Sequence, residues 1–126
     1  MELKLKVNEV IGLNNTLKSI IDNGNIEINI VLKYRFLGIM QSIKSHITNF
    51  EIIKNEKIVE YGEETEKGTY QISNDKPEVI ENFKRDIEQV LNSEVTININ
   101  MLKPDEVFDQ GLTSDYLIDL YPIIEE

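Results

Sequence analysis

Hydrophobic and polar positions alternate along this chain with two different periods. Leu3, Leu5 and Val7 are separated by Lys4 and Lys6, a period of two that predicts a short strand over 3–7. Asn8 then reads as an N-cap. Val10, Ile11, Leu13, Leu17, Ile20 and Ile21 recur at helical spacing, which predicts a first helix over about 9–22. Asp22-Asn23-Gly24-Asn25 closes it, with Gly24 as a left-handed terminator. Ile26, Ile28 and Ile30 alternate again and predict a strand over 26–30, or an extended lead-in to the next helix.

The longest periodic stretch follows. Phe36, Met40, Ile43, Ile47 and Phe50 are spaced four, three, four and three, a heptad seam. Leu32 precedes it in phase, and Ile58 and Tyr61 return to that face after Lys54 interrupts it. A second helix is expected over 31–61, and its length predicts a helical hairpin or a homo-oligomer formed through the seam. Residues 62–68 read as a polar loop, 70–72 as a short strand, and 77–92 as a third helix with Pro77 in its first turn. A strand is predicted over 95–101, where Val95, Ile97, Ile99 and Met101 alternate with polar residues. One helical turn follows at 105–108, and then a short helix capped by Ser114 and disturbed by Pro122.

The expected fold is therefore α+β and predominantly α. The long helix packs with its shorter neighbours, and the four strands form one small sheet. Tyr70, Phe83, Phe108, Tyr116 and Tyr121 are expected to complete the core. No linker divides the chain, so residues 1–126 read as a single domain.

Composition narrows the classes. Ile, Asn, Lys and Glu are abundant and Ala is absent, a bias consistent with an AT-rich coding sequence. No apolar run approaches the ~18–20 residues that span a bilayer, and Met1–Lys6 lacks the layout of a secretion signal. With no cysteine, thiolate nucleophiles, thiolate metal sites and disulfides are excluded. The net charge of −10 is uneven. Residues 1–61 hold eight basic and seven acidic residues, whereas 62–126 hold five and sixteen. Broad nucleic-acid binding, which needs a basic surface, is disfavoured.

Motifs for chemistry are missing. There is no phosphate-binding glycine loop, no GxSxG, no HExxH, and one histidine cannot build a catalytic zinc shell. No enzyme activity, cofactor or metal is therefore expected. Carboxylates remain: Glu63, Glu64 and Glu66 read as a solvated loop or a weak cation site, and Glu125-Glu126 as an exposed tail.

One window stands apart. Residues 28–50 hold no acid but carry Lys33, Arg35, Lys44 and His46. At about 100° per residue, Lys33 and Lys44 fall on one flank of the apolar seam, and Arg35, Ser42, His46 and Asn49 on the other. An apolar strip edged by cations suits a nucleotide, with Tyr34 or Phe36 to stack and Arg35 to pair with phosphate. The competing reading is that these are flanking residues that pair with Glu on a neighbouring helix, with His46 as an interface residue.

The chain also resembles a family of small uncharacterised phage and prophage proteins of Gram-positive hosts. The resemblance lies in Lys4-Leu5-Lys6-Val7-Asn8-Glu9, in Glu60-Tyr61-Gly62-Glu63, in Gly68-Thr69-Tyr70-Gln71-Ile72, in the strand Glu94–Ile99, and in Leu112-Thr113-Ser114 with Leu120-Tyr121-Pro122-Ile123-Ile124-Glu125-Glu126. It implies a phage protein in the host cytoplasm that counters a host defence or assists virion assembly, and it transfers no site residue. Combined with the basic window, it leads to an expected counter-defence protein that sequesters a nucleotide-derived immune signal through Lys33, Tyr34, Arg35, Lys44 and His46. The alternatives are an acidic inhibitor that docks on a basic host protein and a virion accessory factor.

Overall fold

The computed structural model describes residues 2–125. The first strand, β1 (Glu2–Lys6), turns Leu3 and Leu5 toward the core and its lysines outward. It runs directly into helix α1 (Val7–Asp22), without the cap expected at Asn8. Lys6 occupies the cap position instead, and the Glu9 carboxylate accepts its backbone N–H at 3.0 Å, so an acid in the first turn does the capping. Val10, Leu13, Leu17 and Ile20 form the buried stripe of α1. Gly24 does not adopt the expected left-handed conformation: the only positive-φ residues among those described are Gly68 and Gly111. The chain turns because the Asn23 side chain accepts the Asn25 N–H at 2.9 Å, a short-range turn that needs no glycine.

The strand expected over 26–30 is absent, and the extended lead-in is what forms. Ile26 and Ile28 pack half-buried against the core. The Asn29 N–H is bonded to the Gln110 side chain at 2.9 Å, not to a neighbouring strand. Asn29 caps helix α2 (Ile30–Tyr61) by accepting the Leu32 N–H at 2.8 Å. This helix of 32 residues is unbroken past Lys54, roughly 48 Å long at 1.5 Å per residue.

Beyond α2 lies a hairpin of β2 (Glu63–Glu66) and β3 (Thr69–Gln71), turned at Lys67-Gly68 with Gly68 at φ +83°. The polar loop expected at 62–68 is therefore largely strand. Lys76 pairs with Glu63, and the Glu64 carboxylate accepts the Gly68 N–H at 3.3 Å. Those carboxylates support the hairpin locally.

Helix α3 (Pro77–Leu91) lies along the C-terminal half of α2, with Val79, Ile80, Phe83 and Ile87 half-buried. Strand β4 (Glu94–Asn98) returns to β1 in antiparallel register, setting Leu3 against Ile97, Leu5 against Val95 and Lys6 against Glu94. Two separate two-stranded sheets replace the single sheet expected. The hairpin forms between neighbours in sequence at the far end of α2, whereas β1–β4 closes over the core.

The rest of the chain is short: α4 (Pro104–Val107), α5 (Ser114–Leu120) with Thr113 at its cap position, and a 3-10 turn over Tyr121–Ile123. Leu102, Val107, Leu120 and Ile123 are fully buried. Leu102 and Ile124 form a parallel bridge in which the Glu125 N–H reaches the Leu102 carbonyl at 2.7 Å. The end of the chain is thus tied down as far as Glu125, while Glu126 lies outside the described residues. Phe108 and Tyr121 do not join the core as expected but are 54% and 64% exposed, because α4 and the 3-10 turn bury Val107 and Ile123 instead. The fold is α+β and predominantly α, with its core between α1, the N-terminal half of α2, the inner face of β1–β4 and the C-terminal segment.

Candidate functional site

The seam of α2 is not available to a ligand. Phe36 and Ile43 are fully buried in the core, and Met40 and Ile47 pack against it. The apolar strip edged by cations therefore faces inward, satisfied by α1 and by the C-terminal segment of the same chain. This removes the premise from which self-association through that seam was expected. Beyond Lys54, where the seam lapses, the helix is held from the side instead. Tyr61 donates its hydroxyl to Asp86 of α3 at 2.7 Å, packs edge-on to Phe83, and has Lys57 beside it, 3.5 Å from Asp86.

The five basic-window residues separate. Arg35 is engaged: its Nη1 donates to Glu106 Oε2 at 2.8 Å, and its Nη2 donates to the carbonyls of Met101 at 2.8 Å and Asn100 at 3.4 Å. The guanidinium braces α2 to the turn after β4, so the pairing with a Glu on a neighbouring element is realised here. Tyr34 is 77% exposed. Lys33 and Lys44 are exposed and have no ion-pair partner among the described residues. His46 is half-buried.

Two shallow grooves run along the outer side of α2. The first, about 720 Å³, lies between α2 and the end of β4 and is lined by Tyr34, Arg35, Gln41, Ser42, Asn98 and Asn100 among others. The second, about 730 Å³, lies between α2 and α1 and carries Lys18, Asp22 and Lys44. Leu37 and Gln41 border both, as the ridge between them. Of the expected residues, Tyr34 and Arg35 share the first groove and Lys44 lies across the ridge in the second. Lys33 and His46 line neither.

Sequence reasoning did not find Gln41, Asn98 and Asn100 as groove residues. The asparagines alternate with Ile97 and Ile99, which marks them as outward-facing, but no local signal places them beside Tyr34. Chemically the first groove offers an exposed aromatic face, three side-chain amides and a guanidinium with N–H donors beyond those bound to Glu106 and the two carbonyls.

The groups with shifted titration lie elsewhere. The Tyr61 hydroxyl beside Asp86 holds that carboxyl below its ordinary value, and the same bond raises the tyrosine. Lys76 lowers Glu63. Among the described residues no His, Asp or Glu cluster has the grouping of a metal site, and no helix is long and apolar enough to cross a membrane. Comparison with family models, with curated proteins and with solved structures finds no match for this chain.

Proposed function

We propose that this protein is a non-enzymatic binding protein that takes a nucleotide-like ligand in the groove between α2 and the end of β4. The observation that carries the reading is the company of exposed Tyr34 with Gln41, Asn98, Asn100 and Arg35 along one groove. A tyrosine face stacks on any base, and amide side chains both donate and accept toward base edges. Arg35 presents its remaining N–H donors to a phosphate while Glu106 fixes its orientation. Lys44 and Lys33 contribute a weaker, longer-range attraction from the far side of the ridge.

In a phage context, which the resemblance of the termini and of the 60–72 segment supports, such a protein acts in the host cytoplasm by sequestering a nucleotide-derived immune signal. Titration calorimetry against linear and cyclic nucleotides tests this. One class should bind, and Tyr34→Ala with Asn98→Ala should weaken it at least tenfold while the circular dichroism spectrum stays unchanged. Absence of binding across the panel, or binding indifferent to both changes, overturns the reading.

A second reading has its own observation. The acid-rich half of the chain exposes Phe108, Ile118 and Tyr121 on the same stretch as exposed Asp105, Asp109 and Asp115. Apolar anchors with acidic neighbours suit a basic host protein, and a complex that weakens steeply with salt would favour this alternative.

A further inference from the structure

Helix α2 carries a second apolar stripe on its solvent side. Ile30, Tyr34, Leu37, Ile52 and Val59 are each between 45% and 82% exposed. At about 100° per residue they fall within an arc of roughly 60°, nearly opposite the buried stripe of Leu32, Phe36, Ile39, Ile43 and Phe50. The line is completed by Gln41, Thr48 and Asn55, all exposed. A long apolar stripe on a helix whose inner face is already packed marks a surface for a partner.

We infer that the occupant is a second copy of the same chain, with the two α2 helices packed antiparallel about a two-fold axis between Lys44 and Ser45. The spacing of the stripe is symmetric about that point. Ile30 meets Val59 and Leu37 meets Ile52, apolar on apolar, while Gln41 meets Thr48 and Tyr34 meets Asn55. This is the self-complementarity that an isologous interface requires.

Charge selects the same direction. Lys33, Lys44 and Glu51 lie along one edge of the stripe, and none has an ion-pair partner within the chain among the described residues. In an antiparallel pair, Glu51 of each copy lies along the axis between Lys33 and Lys44 of the other, about 8–9 Å from each and within reach of two long side chains. In a parallel pair the two copies of this edge would fall on opposite sides of the contact, so Glu51 of one copy would meet neither lysine of the other. The acid-free N-terminal stretch of α2 would then meet its like, and not the stretch bearing Glu51, Glu56 and Glu60.

The inference stands apart from the ligand reading, although Tyr34, Leu37 and Gln41 belong to both surfaces, so the tests are run without nucleotide. Sedimentation equilibrium should give twice 14.6 kDa. The pair Leu37→Glu and Ile52→Glu should give monomer with an unchanged circular dichroism spectrum. Because the chain has no cysteine, single cysteines report direction with a short bis-maleimide. Ser45→Cys should cross-link to a covalent dimer, and Ile30→Cys alone should not. A mixture of Ile30→Cys and Val59→Cys should cross-link. Monomer at high concentration, a dimer that survives the two glutamates, or self-linking of Ile30→Cys overturns the proposal.

Discussion

Arg35 of α2 and Glu106 of α4 are 71 residues apart in sequence and form an ion pair of 2.8 Å whose guanidinium also holds the carbonyls of Met101 and Asn100. It is a charge-assisted brace at the rim of the first groove, with both side chains about three-quarters shielded from solvent. Replacing Arg35 by Ala is expected to cost about 1–3 kcal/mol, since it leaves Glu106 and two carbonyls without this donor. A lowered midpoint in urea, with the same slope, checks it. Loss of ligand in an Arg35 variant therefore has to be read beside its stability, which is why Asn98, outside the outer stripe of α2, is the cleaner probe.

Tyr61 and Asp86 make stability fall toward acid. The tyrosine hydroxyl holds the folded-state carboxyl below its ordinary value. The stabilisation is fully present above the ordinary carboxylate range and is lost as pH falls through the folded value. Tyr61→Phe should therefore be less stable near neutrality and should approach the parent protein in acid. Urea midpoints of both proteins from pH 7 down to pH 3 measure this, and a gap that stays constant across that range would contradict it.

Neighbouring residues of α2 should behave oppositely. Phe36 is fully buried and Leu37 is 45% exposed. Phe36→Ala is expected to cost about 3–5 kcal/mol through a core cavity. Leu37→Ala should change subunit stability by less than about 0.5 kcal/mol while weakening self-association. Thermal unfolding at low concentration separates the two.

Gly62 ends α2 where nothing larger fits. A Cβ there would collide with the Ile58 carbonyl and press on the Gln71 carbonyl at 3.1 Å. The Gly62 N–H closes the helix on Ile58 at 2.7 Å. Gly62→Ala should loosen the hairpin of β2 and β3 and increase hydrogen exchange there, with little change at β1 and β4.

Periodicity alone was enough for the three main helices, for the strands paired as β1 and β4, and for the existence of an apolar seam on α2. Each of these rests on a repeat that places apolar side chains on one face whatever the rest of the chain does. The charge contrast between the halves, the acid-free window and the lack of cysteine were equally fixed by residue identity. Arg35 could be named because it stands out on the helical wheel, and Tyr34 because it is the aromatic next to it in sequence.

Their roles depended on contacts across the chain. Only the tertiary structure set Glu106 against Arg35, placed Asn98 and Asn100 beside Tyr34, and divided Lys44 from Arg35 by a ridge. It also decided that 26–30 would find no strand partner and that 63–71 would form its own hairpin. A periodic pattern states which face is apolar, but not which neighbour covers it. That choice follows from how the other helices and strands close over the core, and it left the outer stripe of α2 open to solvent.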